Sequence, residues 1–273
     1  MQTDAWQILA PDAFDHDARG LIDAAYLFFE QSPVLKSHSS DPVTLTGYRP
    51  IGVEYARWPD RHDQMETFSI SGAHLNTGPR FTLDSAVSQR MYRACTDSFV
   101  ALHHKAAEIV AQLFRHAAGI EDVSPGWIHR NTNNGSFLQV NSYTMSVNEP
   151  RPAQDCHEDA NLVTVGTADA PGLEIMRDDG EFTPAGNVDG AHVWMVGGAL
   201  SALLGGKPAP CQHRVMAAEG VDRRISVQLF VSPAPDCSAN WPSAPGVAVQ
   251  DVLARSNLSG LASGLAEHTR MLP

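Results

Sequence analysis

The sequence predicts one mainly β domain, folded as a sandwich or barrel, with helices packed outside it. From Ser136 to about residue 235 the chain consists of short runs in which apolar and polar residues alternate, separated by Gly, Pro and Asp. Many short strands at close spacing are typical of antiparallel sandwiches and barrels, whereas parallel βα units alternate each strand with a helix. The helix-like patterns lie outside this segment. The strand-like runs are FLQVNSYTM, NLVTVGT, GLEIM, AHVWMVG and RISVQLFVS.

The region before these strands begins with a helix followed by irregular chain. Residues 18–31 predict the first helix, which ends before Pro33 because proline breaks a helix interior. Residues 33–82 are interrupted by Pro, Gly and Ser, and they predict loops with short strands.

A long helix is predicted next, from about Asp84 to Ala118. Its apolar residues recur every three or four positions, which places them on one buried stripe. Asp84 is the expected N-cap and Gly119 the expected C-terminal stop. A final helix is predicted over residues 247–269. The 273 residues therefore form a single domain in three parts: a helical and loop region (1–134), a β core (135–235) and a C-terminal helical region (236–273).

The composition excludes two classes of partner. The chain has 31 acidic and 19 basic residues, a net charge of −12 and a pI near 5.3. Nucleic acid and anionic membrane both require a basic surface, so we expect neither, and a small molecule is the expected partner. No signal-peptide pattern opens the sequence, and the longest weakly polar stretch, 193–206, is too short to span a bilayer. The cysteines lack CxxC spacing, which favours a reducing, cytoplasmic location: Cys95, Cys156, Cys211 and Cys237.

The sequence contains one metal-ligand pattern, formed by His157, Asp159 and His213. Two histidines and one carboxylate bind a ferrous ion on one side and leave coordination positions open. His157 and Asp159 lie two residues apart in a strand-like run, so alternation predicts that they share a face while Glu158 points away. His213 lies far enough along the chain for intervening strands to bring it back. The pattern predicts an iron-dependent oxygenase.

An arginine that follows the second histidine predicts a co-substrate. Arg224 and Ser226 share one face of a strand-like run, and Arg223 faces the other side. A guanidinium binds a carboxylate through two parallel hydrogen bonds. Arg224 is therefore predicted to bind an organic acid beside the iron.

Other histidines and cysteines leave alternatives open. His103 and His104 are adjacent on the long helix and point about 100° apart, so we expect packing or surface residues rather than a chelating pair. Cys156 and Cys211 flank the predicted ligands, and a cysteine in the site would indicate tetrahedral zinc and a zinc hydrolase. Alternation turns Cys156 away from His157, and the chain has no HExxH motif. A cupin-like binding protein without catalysis is the other alternative.

The segment from about residue 137 to 233 resembles the isopenicillin N synthase-like branch of the Fe(II)/2-oxoglutarate-dependent oxygenases. The motifs that carry the resemblance stand in the order of that family: NSY (141–143), HED (157–159), GLEI (172–175), GGAL (197–200), GG (205–206), HRV (213–215) and RIS to LFVSP (224–233). Ser142, Gly198 and Gly205 depart from the family pattern. The family's opening strand is not evident in the first residues.

The resemblance implies a double-stranded β-helix, a cupin-like jelly roll over residues 135–235 with helices packed outside. The implied reaction uses O2 to hydroxylate, desaturate or cyclise a small metabolite, and an iron oxidase of the same fold that does not use 2-oxoglutarate remains open. The implied Fe(II) ligands are His157, Asp159 and His213, and the implied 2-oxoglutarate contacts are Arg224, Ser226, Tyr143 and Asn141.

The family also places substrate loops in the segments GYRPIGVEYARW and TFSIS. If one of the two arginines there pairs with a substrate carboxylate, an amino acid or another small acid is favoured over other natural-product intermediates. The five candidate substrate contacts are Arg49, Tyr55, Arg57, Phe68 and Ser71.

Overall fold

The computed structural model describes residues 5–9, 18–44, 46–56, 60–145, 152–185, 191–234 and 241–258. The strands in these ranges are β1 (Trp6–Leu9), β2 (Ser40–Asp41), β3 (Thr46–Arg49), β4 (Met65–Ser71), β5 (Phe137–Thr144), β6 (Gln154–His157), β7 (Val163–Ala168), β8 (Leu173–Met176), β9 (Phe182–Pro184), β10 (His192–Val196), β11 (His213–Val215) and β12 (Arg223–Val231). The helices are α1 (Arg19–Phe29), α2 (Pro33–Ser37), α3 (His74–Thr77), α4 (Ala86–Ala118), α5 (Pro125–Thr132), α6 (Gly198–Leu203) and α7 (Val249–Leu258).

The strands form two sheets that face each other. The larger sheet has the order β1-β10-β7-β12-β5-β4-β3-β2, and the smaller sheet has the order β6-β11-β8-β9. Apolar side chains join them: Tyr143 packs with Val215 in one cluster, and Met195 packs with Ile175 in another. Two facing antiparallel sheets with helices outside form a jelly roll, so the predicted fold class is confirmed.

The larger sheet has two chemically different faces. On its outer face Val140, Val165 and Val227 are fully buried in the main core, together with residues of α1 and α4. The opposite face, which we call the inner face, is turned toward the smaller sheet. It carries Asn141 and Ser226, which are directly paired between β5 and β12. Because side chains alternate along each strand, one sheet presents an apolar core on one side and a polar site on the other.

Helix α4 follows the predicted pattern closely. The N-cap is Ser85 and not the predicted Asp84, because the Ser85 hydroxyl accepts a hydrogen bond from the Ser88 N–H at 2.9 Å. The Asp84 carboxylate instead pairs with His38 at 3.0 Å on the surface. The helix ends at Ala118, and Gly119 stops it in the left-handed conformation with φ 65°.

The N-terminal region contains more sheet than predicted. It contributes β1 to β4, half of the eight strands of the larger sheet. An opening strand is present after all, because β1 pairs with β10. All four residues of β3 are buried, so the two-residue alternation that reveals a strand is absent from this part of the sequence.

At the other end, α7 spans Val249–Leu258, and the rest of the predicted helix lies outside the described residues. Within the described ranges, no helix has the length and apolar character needed to cross a membrane.

Candidate metal centre

The smaller sheet brings two of the predicted metal ligands together, and the third joins them from a loop. His157 is the last residue of β6 and His213 the first of β11, and the two are direct partners across the strand pair. The Nε2 atoms of His157 and His213 lie 3.6 and 4.0 Å from Asp159 Oδ1. One ligand atom from each residue lies within 4.8 Å of the other two, and no other group of three such residues is found in the described ranges.

Asp159 reaches this cluster from a loop and not from a strand. Strand β6 ends at His157, so the predicted alternation of His157 and Asp159 along one strand is wrong. The chain turns after His157, and the Asp159 carbonyl accepts a hydrogen bond from the Gly198 N–H at 2.7 Å. Gly198, which departs from the family motif, therefore holds the loop that carries Asp159 through its backbone N–H. Glu158 lies outside the cluster, as predicted, and its carboxylate accepts a hydrogen bond from Gln212.

The two histidines are oriented by backbone carbonyls. His157 Nδ1 lies 2.8 Å from the Asp155 carbonyl oxygen, and His213 Nδ1 lies 3.1 Å from that of Cys211. A carbonyl only accepts, so both Nδ1 atoms carry the proton and both Nε2 atoms present a lone pair to the cluster. Burial, and then the neighbouring His213, lower the pKa of His157 to about 4. His157 is therefore neutral at neutral pH, as a metal ligand must be.

The Asp159 carboxylate is also oriented by a hydrogen bond, in this case from a side chain. The Thr164 hydroxyl donates to Asp159 Oδ2 at 2.5 Å, and Asn161 Nδ2 donates to the Thr164 oxygen at 2.9 Å. Oδ2 is thereby occupied, and Oδ1 is the oxygen that faces both histidines. Two neutral imidazoles and one carboxylate, each held by a second hydrogen bond, fit a ferrous ion with open positions. Thr164 and Asn161 were missed in the sequence because neither belongs to a recognisable motif.

Neither cysteine beside the ligands belongs to the cluster. The Cys156 thiol donates to Gln212 Oε1 at 3.5 Å. Burial, and then Asp159, raise the pKa of the Cys211 thiol to about 12, so it remains protonated. Because neither thiol lies in the cluster, the geometry gives no support to a Cys-ligated zinc site.

A cavity of about 120 Å³ lies on the inner face of the larger sheet. Its lining includes Thr164, which holds the Asp159 carboxylate, and also Arg224 and Ser226. Gly166 is one of the lining residues, and a Cβ atom there would lie 2.9 Å from the Val227 carbonyl oxygen on the neighbouring strand, so a larger residue does not fit at this position. The cavity therefore connects the surroundings of the metal cluster with the predicted co-substrate residues.

Arg224 is buried in this cavity wall with incomplete hydrogen bonding. Its side chain is 4% exposed, and Nε donates to the Ala170 carbonyl at 3.0 Å. Nη1 and the Ser226 hydroxyl are buried without a hydrogen-bond partner in the part of the chain that the structure describes. A buried guanidinium without an anionic partner is costly, so the site calls for a carboxylate. Arg223 lies on the other face, as predicted, where Nε donates to Ser142.

Tyr143 lies beside Arg224, whose guanidinium carbon is 5.4 Å from the tyrosine ring centre. The Tyr143 hydroxyl donates to Gln154 Oε1 at 3.0 Å, so its proton points away from Arg224. Asn141 Nδ2 donates to Tyr143 Oη at 3.2 Å and to Gln228 Oε1 at 2.7 Å. Because both amide hydrogens of Asn141 are used within the protein, a direct co-substrate contact by Asn141 is not supported.

Two of the five candidate substrate residues, Arg49 and Phe68, are engaged within the protein. Arg49 is buried and donates to Glu54 at 2.6 Å, and to Ser69 and Gln139 at 2.8 Å each, so its charge is already neutralised. Phe68 is a core residue on the outer face of β4, packed edge-on against Phe28.

The remaining three substrate candidates gain no support. Tyr55 is buried, Ser71 ends β4 opposite Phe137, and Arg57 lies outside the described residues. The histidines of α4 pack as expected: His103 is buried against Phe99, and His104 stacks on His129.

The fold and the site define a class of protein, the jelly-roll proteins with a mononuclear two-histidine, one-carboxylate metal centre. Residues 134–233 match the family model of the 2OG-Fe(II) oxygenase superfamily, and this segment contains the three candidate metal ligands together with Arg224 and Ser226. The isopenicillin N synthase-like resemblance fits this match. Members of the superfamily use Fe(II), 2-oxoglutarate and O2.

Three similar proteins illustrate the relationship. Scopoletin 8-hydroxylase of Arabidopsis thaliana is 24% identical over 242 residues, which are 86% of this chain and 64% of the relative. Feruloyl CoA ortho-hydroxylase of Ipomoea batatas is 37% identical over 82 residues, which are 29% of this chain and 23% of the relative. The chain thus spans less than two thirds of the length of either relative. The crystal structure of the dioxygenase for auxin oxidation in rice shares the fold, with TM-score 0.68, 20% identity and coverage of 89% of this chain and 78% of that one.

Proposed function

We propose that this protein is an Fe(II)/2-oxoglutarate-dependent dioxygenase that oxidises a small molecule. One observation carries the proposal: a single cavity is lined both by Thr164, which holds the Asp159 carboxylate of the metal cluster, and by the buried Arg224 guanidinium, whose Nη1 has no partner among the described residues. The cluster fits the iron, and the arginine fits the distal carboxylate of a dicarboxylic co-substrate.

Each part of the site has a task that follows from its chemistry. The two Nε2 atoms and Asp159 Oδ1 would hold the ferrous ion, while Thr164 prevents Asp159 from turning. Arg224 and Ser226 would orient 2-oxoglutarate. The bound ion and co-substrate supply the activation of O2 and the oxidation of a C–H bond, with succinate and CO2 as the other products. The apolar and small side chains around the cavity exclude water from this chemistry.

For the substrate, we propose a planar aromatic metabolite. Phe137 and Phe230 stack with ring centres 4.6 Å apart and planes within 12° on the inner face of β5 and β12. Phe230 is the direct strand partner of Thr164, so the aromatic pair lies beside the residue that holds Asp159. The two curated relatives are named as hydroxylases of scopoletin and feruloyl-CoA, and hydroxylation is accordingly the proposed reaction. Arg49 is already paired with Glu54, so this arginine gives no support to a contact with a substrate carboxylate.

The test is anaerobic addition of Fe(II) and 2-oxoglutarate to the folded protein. We expect a visible metal-to-ligand charge-transfer band, which requires both partners to bind together. Arg224→Ala should abolish the band at moderate co-substrate concentration, and the matched variant Arg223→Ala should keep it, because Arg223 lies on the other face. A folded, iron-loaded protein without the band would overturn the co-substrate assignment. O2 consumption without succinate would then indicate the iron oxidase, and absence of both would indicate a binding protein.

The location remains a prediction. We propose the cytoplasm, on the basis of the cysteine pattern.

A further inference from the structure

A chain of buried side chains leads away from the co-substrate residues to a carboxyl group. Tyr143 Oη donates to Gln154 Oε1 at 3.0 Å, and Gln154 Nε2 donates to Asp63 Oδ2 at 3.3 Å. Tyr143 and Asp63 are 0% and 4% exposed. At the other end, burial raises the pKa of Tyr143 to about 12, while Arg224, which lies over the tyrosine ring, and the nearby Ser226 oppose this rise.

The donors and acceptors in this chain determine where the tyrosine proton points. Tyr143 has one proton, and Asn141 Nδ2 already donates to its oxygen at 3.2 Å. The Gln154 amide oxygen only accepts, so the Tyr143 proton is directed to Gln154. The Gln154 nitrogen in turn donates to the ionised Asp63 carboxylate. In this arrangement Tyr143 offers no proton to a carboxylate held by Arg224 and Ser226.

Protonation of Asp63 reverses the direction of these hydrogen bonds, and the atoms need to move only a little. Protonated Asp63 donates to the amide oxygen of Gln154, and the amide turns over to do so. The oxygen and nitrogen of an amide occupy nearly equivalent positions, so either orientation fits the same site. Gln154 then donates to the Tyr143 oxygen, and the tyrosine proton is released toward Ser226 and Arg224.

We propose that Gln154 and Asp63 are positioning residues that set the direction of the Tyr143 hydroxyl proton, so that the co-substrate carboxylate binds more tightly when Asp63 is protonated. This inference rests on the proposed function, because the ligand at Arg224 is taken to be 2-oxoglutarate. Gln154 and Asp63 would thus regulate co-substrate affinity although neither is a proposed contact of the co-substrate.

The surroundings of Asp63 make both states accessible near neutral pH. Burial, and then the Glu54 carboxylate, raise the pKa of Asp63 to about 7. Asp155 acts in the same direction, while the hydrogen bonds from the Ala56 N–H and from Gln154 oppose it. Other charged or titratable neighbours in the described part of the chain are Arg49, which pairs with Glu54, Arg61, which lies 3.9 Å from Asp155, and His62, which precedes Asp63.

The experiment is calorimetric titration of 2-oxoglutarate into anaerobic, Fe(II)-loaded protein between pH 6 and pH 8. For the wild type we expect the Kd to rise about tenfold over this range, because the protonated fraction of a group with pKa near 7 falls by about that factor. In Asp63→Asn the amide donates to Gln154 as the protonated acid would. Its Kd should therefore stay at the low-pH value throughout. Tyr143→Phe should also give a Kd without this pH dependence.

Two further variants complete the test. Gln154→Met removes the acceptor of the Tyr143 proton, so it should behave as Asp63→Asn does. Asp84→Asn removes a surface carboxylate that pairs with His38, and it should keep the wild-type profile. A wild-type profile retained in Asp63→Asn or Tyr143→Phe, or a flat profile in the wild type, would overturn the inference. Failure of the wild type to bind 2-oxoglutarate at any pH would instead overturn the proposed function.

Discussion

Arg49 and Arg224 lie on the same face of the same sheet, and their side chains are equally buried at 4% exposure. Arg49 is enclosed by Glu54, Ser69 and Gln139, all within 2.8 Å of its nitrogens. Arg224 has a backbone carbonyl at Nε, while Nη1 has no hydrogen-bond partner in the described part of the chain. A buried charge that is fully paired belongs to the structure, whereas one left short of partners marks a binding site. Four predictions follow from this difference, in order of decreasing free-energy effect. The first two concern the arginines themselves, and the other two concern Thr164 in the Arg224 cavity and Asp63 near Glu54.

Removal of the paired arginine should have the largest effect. Arg49→Met leaves the Glu54 carboxylate buried without its cation, and we expect the free energy of unfolding to fall by about 3–5 kcal/mol. The measurement is urea unfolding. In the control, Arg49→Met combined with Glu54→Gln should recover most of the loss, because no buried charge remains. A loss below about 1 kcal/mol would show that Arg49 is not a structural residue.

Removal of the other arginine should affect binding and not stability. Arg224→Met should weaken 2-oxoglutarate binding by about 2–4 kcal/mol, because the carboxylate loses its only buried cation in the described cavity wall. The free energy of unfolding should be unchanged or higher, since an incompletely paired buried charge is removed. Calorimetric titration and urea unfolding on the same preparation measure both. Unchanged binding would remove the distinction between the two arginines.

The hydrogen bond behind the metal ligand provides a smaller, separable effect. Thr164→Val frees Asp159 Oδ2, and metal affinity should fall about 10- to 100-fold. Competition with a fluorescent chelator measures this affinity directly and does not require turnover. Thr164→Ser retains the hydroxyl and should bind metal as the wild type does. Equal affinity in the valine variant would mean that Thr164 does not position Asp159.

The smallest effect concerns Asp63 and depends on pH. The pKa of this group is raised on folding from 3.8 to about 7, so its ionisation opposes the folded state above pH 4 and fully so above pH 7. Asp63→Asn should therefore raise the free energy of unfolding by about 1–3 kcal/mol at pH 8. At pH 4 it should change little. Equal effects at the two pH values would contradict a raised pKa for Asp63.

Much of the site could be predicted from local pattern. The His157, Asp159 and His213 spacing led to residues that the structure brings together, and the predicted Arg224 and Ser226 line one cavity with Thr164, which holds Asp159. The predicted strand alternation that placed Asp159 beside His157 was wrong, since Asp159 lies past the end of β6. Arg49 and Phe68 were predicted as substrate contacts from their place in a family segment, whereas the structure pairs Arg49 with Glu54 and buries Phe68 in the core. That place carries no information about which way a side chain points.

The sequence by itself determined the mainly β fold, the long helix from about residue 84 to 118, the ligand types and the face of Arg224. These follow from periods of two and of three to four residues, which are local properties of the chain. Only the tertiary structure decided which buried polar groups are paired. Gln139 stands 90 positions from Arg49, and Gln154 stands 91 positions from Asp63. Hydrogen bonds across such distances depend on strand register and loop path, so no local pattern distinguishes the paired Arg49 from the incompletely paired Arg224.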